Sequence, residues 1–409
     1  MRTMEHLVVR RFGPITEAEL DFRKVTVLIG RQGSGKSTLA KLYSLFVWLE
    51  KCLTRHSMTE KYIMQYSRFR NKFCAFNAIS EYFRVDTYIR FDGNHYTFIY
   101  EGGALQVESL DRQGEVMSYR VSKVMYVPAE RSILGTVDHT SRLCGLTEPM
   151  QIFLEEFDRA KQTFRNGYHF PFENVEFVYD ALNDMPRLRH SGGETKLSSG
   201  SSGFQSSLPL LLVSRNLTDM VVNSSRNAEL TEQERKNLQR EVERILHDKA
   251  LSEEVRAVSL RSISSRYTYS RFVNIVEEME LNLFPDSQSA VLYELIADAN
   301  TLEANGLVLT THSPYLIDYL TLSVKAAALS RKYVADSELC MRVSRVVPAQ
   351  NQVGSDDVAI YQLGQGEISR LPMTDGIPSD ANFLNDGLRR TNELFDELLE
   401  IEEKAEWKG

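Results

Sequence analysis

The sequence predicts an α/β protein with a mixed central sheet, and three observations predict it. Short apolar runs rich in Val, Ile, Tyr and Phe alternate with helical patterns in the first and last thirds of the 409 residues. That order gives a mainly parallel sheet with helices on its faces. One such run, KVTVLIG, passes directly through glycines into a helical pattern. Between residues 87 and 121, strand-like runs separated by tight turns ask for an antiparallel subdomain.

Taken in order, HLVVRRF and AELDF read as strands flanking a Gly-Pro turn, and KVTVLIG reads as a buried strand. A helix follows from Ser37 to about Leu53. TYIRFDG and HYTFIYEGG form a hairpin around Asp92-Gly93-Asn94. ALQVESLDRQGEVMSYRV continues that sheet, and KVMYVP is a strand stopped by Pro128. Residues 146–185 read as mostly helical, and ETKLSS as a short strand. FQSSLPLLLVSRNLTDMVV reads as a helix with Pro209 in its first turn. In LTEQERKNLQREVERILHDKAL, Thr231 and Glu234 make a capping box, and Leu238, Val242, Ile245 and Leu246 share one face. RFVNIVEEME and GLVLTTHSP are strands with the helix QSAVLYELIADANTLE between them. DVAIYQL and EISRLPM form a late hairpin, and a charged amphipathic helix closes the sequence.

Composition narrows the function classes. The chain is 42% hydrophobic and 25% charged, an ordinary globular balance. A net charge of −8 argues against a surface coated for nucleic acid, although a local basic groove stays open. The four cysteines show no metal-ligand spacing and read as reduced thiols of a cytoplasmic protein. The N-terminus lacks the apolar run of a signal peptide, and no stretch reaches membrane-spanning length.

The chemistry is concentrated at three strand ends. GRQGSGKST, residues 30–38, fits G-x-x-x-x-G-K-[ST] between a strand and a helix. Gly30, Gln32, Gly33, Ser34 and Gly35 offer a loop whose backbone N–H groups can wrap phosphate oxygens. Lys36 would reach the β- and γ-phosphates, Ser37 would hold Mg²⁺, and Thr38 would contact the α-phosphate. FVNIVEEME brings Glu277 and Glu278 to the end of an apolar strand. Alone, such a pair is an ordinary acidic helix start. Beside a phosphate loop it suits phosphoryl transfer to water, with Glu277 near Mg²⁺ and Glu278 orienting the attacking water. LVLTTHSPYLID ends a second apolar strand at His312, which can bond the γ-phosphate or that water.

With these motifs in this order, the sequence resembles the ABC-type P-loop ATPases of the SMC/RecF/OLD-like branch. EEMELNLFP is similar to that branch's E-E-P-E-x-x-L-x-P string, and THSPYLI to its histidine switch. The resemblance covers about residues 5–320. It implies ATP and Mg²⁺ as cofactors, hydrolysis of ATP to ADP and phosphate, and a homodimer or higher homo-oligomer with ATP sandwiched between copies. It also gives meaning to KLSSGSSGFQSSLPLLL, which resembles the signature turn that meets the γ-phosphate held by the other copy. Two registers fit, one with Ser198 and Gly200 and one with Ser201, Ser202 and Gly203. The second is preferred because the apolar helix starts directly after it.

The departures are Met279 where the branch has proline, Asn274 within an apolar strand, and no clear glutamine loop. Glu130 or Arg131 in MYVPAERS would stand in for that loop. The resemblance divides the chain into an N-terminal ATPase lobe with the antiparallel subdomain (1–145), a helical lobe with the signature and an insertion (146–270), a C-terminal ATPase lobe (271–345), and a hairpin and helix (346–409). The spacing leaves no room for a long coiled coil, and no TOPRIM-type acidic cluster stands near the end. A stand-alone OLD-like ATPase of bacterial anti-phage defence follows, sensing or regulating for a separately encoded effector. That partner would dock on residues 215–270 or on the last helix. A RecF-like DNA-clamp ATPase is the alternative, followed by a transporter subunit and a non-hydrolysing scaffold.

Overall fold

A computed structural model of the chain describes residues 4–110, 121–223, 230–247 and 253–406. Its strands are β1 (Glu5–Phe12), β2 (Ile15–Phe22), β3 (Val25–Gly30), β4 (Phe83–Asp92), β5 (Tyr96–Glu101), β6 (Ala104–Ser109), β7 (Val121–Val127), β8 (Tyr168–His169), β9 (Glu176–Asp180), β10 (Met185–His190), β11 (Gly193–Lys196), β12 (Tyr269–Glu277), β13 (Gly306–Thr311), β14 (Val358–Gly364) and β15 (Glu367–Arg370). Its helices are α1 (Lys36–Thr54), α2 (Glu60–Met64), α3 (Ile133–Thr136), α4 (Glu148–Thr163), α5 (Ser202–Val222), α6 (Glu232–His247), α7 (Glu253–Tyr267), α8 (Pro285–Asn300), α9 (Pro314–Lys332), α10 (Ser337–Val346) and α11 (Phe383–Glu406).

The class is α/β, with one large mixed sheet in the order β6-β5-β4-β1-β2-β15-β14-β3-β13-β12-β7. From β14 to β7 every pairing is parallel. From β2 to β6 every pairing is antiparallel. The parallel strands are covered on both faces, so they are nearly continuous apolar runs. Strand β3 is buried throughout. Its side chains alternate between two cores: Val25, Val27 and Ile29 face the layer of α4, α5, α8 and α9, whereas Leu28 faces α1 and the antiparallel arm. Each fully buried leucine in these layers contributes about 2 kcal/mol.

Several expectations need correction. Residues 146–185 are helical only to Thr163. Gly167, at φ 140, lies in the turn that follows, and aromatic residues then favour strands. Those strands, β8 to β11, form a separate four-stranded antiparallel sheet. Pro209 lies in the interior of α5, not in its first turn. A proline there releases the carbonyl of Gln205, and α3 presses on that stretch, because a Cβ on Gly135 would stand 2.4 Å from the Gln205 carbonyl oxygen. The late hairpin exists, but its first strand, β14, pairs parallel with β3 inside the main sheet. Residues 111–120 of the expected antiparallel continuation lie outside the described residues.

The capping box is present: the Glu234 N–H donates to Thr231 Oγ1 at 3.2 Å, and the Thr231 N–H to Glu234 Oε2 at 2.9 Å. Glu234 also faces the buried Arg55 at 3.4 Å, so α6 is anchored to the core at its start. Among the described residues no helix is long and apolar enough to cross a membrane.

Candidate nucleotide site

Parallel register builds the site. Glu277 is level with Thr310, and Thr311 is level with Ile29. The residues that follow β3, β12 and β13 therefore emerge at one sheet edge, where ligands of open α/β sheets bind. A cleft of about 390 Å³ opens there. It is lined by Gln32 to Thr38, by Glu278 and His312, and by Gly13, Pro14 and Tyr82.

The loop at 30–35 is shaped by glycine. Gly30, Gly33 and Gly35 all have positive φ, and Gly35 caps α1 in the left-handed conformation. A Cβ on Gly30 would stand 2.5 Å from the Leu363 carbonyl oxygen, and one on Gly35 would stand 2.9 Å from Ile15. Lys36 Nζ donates to the carbonyls of Gly30 and Arg31, at 2.8 and 3.0 Å, which holds the ammonium across the loop. Burial lowers the Lys36 pKa, while the carboxylates of Glu278, Glu280 and Glu277 oppose that shift. Ser37 is exposed at the cleft, Thr38 is buried, and Ser34 Oγ is buried without a hydrogen-bond partner.

The two carboxylates occupy different surroundings. Glu277 is buried at the end of β12, and its Oε1 has no hydrogen-bond partner. Tyr126 lies near it, and burial with that carboxylate pushes the phenol well above its ordinary pKa. Glu277 does not line the cleft, whereas Glu278 does. Glu278 sits at φ 43, an unusual backbone for a residue other than glycine. Its N–H donates to the carbonyl and hydroxyl oxygens of Thr310, at 3.0 and 3.2 Å, which holds that geometry. Glu278 Oε1 stands 3.5 Å from His312 Nε2.

Two supporting residues have roles that the sequence reading did not identify. Glu280 Oε1 accepts from Thr311 Oγ1 at 2.8 Å and from the His312 N–H at 2.7 Å, so it fixes the histidine's backbone. Arg131 does not reach the nucleotide cleft. Its guanidinium is fully buried and donates to the carbonyls of Glu277 (2.6 Å), Glu278 (2.8 Å), Pro128 (3.2 Å) and Ser206 (3.1 Å). Burial pulls its pKa down to about 10, against the pull of Glu280, Glu277 and Glu278. Arg131 therefore ties the end of β12 to α5, and only Glu130 in that turn is exposed. Asn274 makes a similar tie, donating to Ser214 Oγ at 2.9 Å. Met279, fully buried, fills the core at the place of the expected proline.

The serine-rich run lies elsewhere on the chain. Ser201 is the N-cap of α5, with Ser202 and Gly203 in the first turn, and no side chain caps that helix end. Ser198 is engaged, because its Oγ donates to Asp138 Oδ1 at 2.5 Å. Ser206 Oγ donates to the Leu281 carbonyl at 2.8 Å, binding the turn to the segment after Glu278. The turn borders a second cleft of about 520 Å³, together with His190, Phe172 and residues 282–284. The two clefts share no lining residue.

The residues present suit Mg²⁺ and ATP. The loop's glycines leave its backbone N–H groups uncovered by side chains, and Glu277 keeps an unpartnered carboxylate oxygen. Among the described residues no group of three or more His, Cys, Asp or Glu could hold a metal by itself. Mg²⁺ on phosphates needs only one or two protein ligands.

No protein-family model and no curated protein matches the chain. Solved structures overlay loosely. The SMC head domain from Thermotoga maritima is 12% identical over 91% of this chain and 100% of that one, with a TM-score of 0.35. The recombination mediator protein RecF is 10% identical over 90% and 98%, with a TM-score of 0.31. A dimeric ATP-binding cassette bound to ADP and Pi is 9% identical over 90% and 100%, with a TM-score of 0.29. Overlays this loose carry no functional weight; the site's own residues do.

Proposed function

We propose that the chain is an ATP-binding and ATP-hydrolysing ABC-type ATPase whose sites are completed between two copies. The observation that carries this is the split of chemistry between two clefts. One holds the lysine, the carboxylate and the histidine, and the other holds an uncapped helix start with two serines and a glycine. Helix starts with small residues suit phosphate.

Mg-ATP supplies the electrophilic γ-phosphoryl group when bound. Gly30 to Gly35 wrap the phosphate chain with backbone N–H groups, and Lys36 neutralises charge on it. Ser37 and Glu277 would hold Mg²⁺. Glu278, facing the cleft beside His312, would orient the attacking water and accept its proton, and His312 would bond the γ-phosphate or that water. Ser201, Ser202 and Gly203 of the other copy bind the γ-phosphate. Magnesium-dependent release of phosphate by the purified chain tests the reading, and ATP binding without turnover would remove the hydrolytic part.

The finer role we propose is that of an OLD-like ATPase of anti-phage defence, regulating a separately encoded effector. The motif string EEMELNLFP and the THSPYLI switch support it, and the net charge of −8 disfavours a DNA clamp. Co-purification of the protein encoded by the adjacent gene tests it. Salt-dependent DNA binding by the ATP-bound dimer would favour the clamp instead.

A further inference from the structure

Helix α11 is fixed at its first turn and uncovered beyond it. Asn382 is buried, and its Oδ1 accepts from the N–H groups of Leu384 and Asn385, both at 3.1 Å. The Phe383 N–H donates to Gln362 Oε1 at 2.8 Å, and its ring lies 3.0 Å from where a Cβ on Gly364 would stand. These contacts root the helix on β14, the neighbour of the P-loop strand. Further along, Leu388, Leu394, Phe395, Leu398 and Ile401 are 53–63% exposed. At the helical period these five fall on one face and make one apolar stripe. Such a stripe on a helix of 24 residues is a docking surface rather than scattered surface hydrophobics.

Charge identifies what it docks. Arg389 and Arg390 stand near the start of the helix. From Glu393 to Glu406 there are seven acidic residues and one basic residue, Lys404. A parallel copy would lay acid along acid. Arg389, Glu400 and Glu403 lie on the helix face turned away from the stripe, whereas Arg390 and Glu397 share one edge of it. An antiparallel copy lays each Arg390 against the other helix's Glu397, once at each end. Arg389 pairs with Asp386 and with Glu393 (3.9 Å) within the helix, on that far face.

We propose that α11 is a self-association surface that pairs antiparallel with α11 of a second copy, without nucleotide. This contact is separate from the ATP-bridged one and does not rest on the ATPase reading. Because Leu363 of β14 packs on Gly30, the pairing tethers two phosphate loops in one particle. That raises their effective concentration for any later contact between them.

Sedimentation velocity of the full chain in nucleotide-free buffer tests the proposal. The expected result is twice the chain mass, and Leu394→Glu with Leu398→Glu should halve it. Both side chains are exposed, so the variant should fold, and an unchanged thermal transition of the core would confirm that. Arg390→Glu should weaken the pair at least tenfold. Adding Glu397→Arg to the same chain should restore it, which a parallel pair would not allow. A nucleotide-free monomer, a dimer that survives the Leu394/Leu398 change, or an Arg390/Glu397 charge swap no better than the Arg390 change alone would overturn it. Binding of a different protein by α11 of a monomeric chain would overturn it as well.

Discussion

The two clefts hold complementary chemistry and are built in different ways. The P-loop cleft stands on the ends of three parallel strands, so main-sheet register places Lys36, Glu278 and His312 together. The serine cleft stands on the start of one helix and on a small separate sheet. The first is lined by a lysine, a carboxylate and a histidine. The second is lined by Glu173 and His190 and, among the described residues, by no lysine or arginine. A phosphate at the serine turn would therefore need its cation from elsewhere, and the other copy's P-loop has one. On the proposed reading, each chain carries two unlike half-sites. Arg131 and Ser206 join them rigidly, since the first reaches from Glu277 and Glu278 to α5, and the second from α5 to Leu281.

The comparison breaks most severely at Lys36. Lys36→Ala should abolish ATP binding or hydrolysis, because it removes the cation that offsets β/γ charge. Nucleotide-binding fluorescence and phosphate release measure it, and wild-type turnover would end the P-loop assignment. Next is His312→Ala, expected to lower kcat by about 100-fold while nucleotide affinity changes little. An unchanged kcat would leave His312 as a structural partner of Glu278. Arg131→Met tests the link between half-sites. It removes the guanidinium's bonds to four carbonyls, of which those of Pro128 and Glu278 keep backbone donors, and should cost on the order of 3 kcal/mol in denaturant unfolding. Smallest is Asn274→Leu paired with Ser214→Ala, which removes both members of one buried hydrogen bond. Stability should change by about 1 kcal/mol or less, and a larger loss would mean that this contact, like Arg131, holds α5 in place.

Legibility in the sequence followed locality. The P-loop could be read because nine consecutive residues carry its whole geometry. Glu277, Glu278 and His312 could be read because each closes an apolar run, and parallel strands align such ends. Strands β8 to β10 could not, since they are only two to six residues long, whereas β11 overlaps the short strand read at ETKLSS. Arg131 looked like a nucleotide contact because three of its four partners lie 75 to 147 residues away in the chain. Glu280 stood in the quoted motif, but only the fold shows it holding the backbone of His312.

The central claim is that the two unlike half-sites meet across ATP in a pair of chains. Glu278→Gln tests it most directly, by sedimentation velocity with and without Mg-ATP. The variant keeps Lys36, Ser37 and Glu277, so it should bind Mg-ATP while hydrolysis falls by orders of magnitude. Trapped ATP should then add a stable, nucleotide-dependent association to whatever the chain shows alone. The α11 variant Leu394→Glu with Leu398→Glu supplies a background free of the other contact, in which ATP should convert monomer to dimer. Adding Ser201→Arg and Gly203→Asp should abolish that conversion and leave ATP bound. An ATP-driven dimer and turnover that survive the serine-turn change would contradict the claim and reduce Ser201 to Gly203 to a loop.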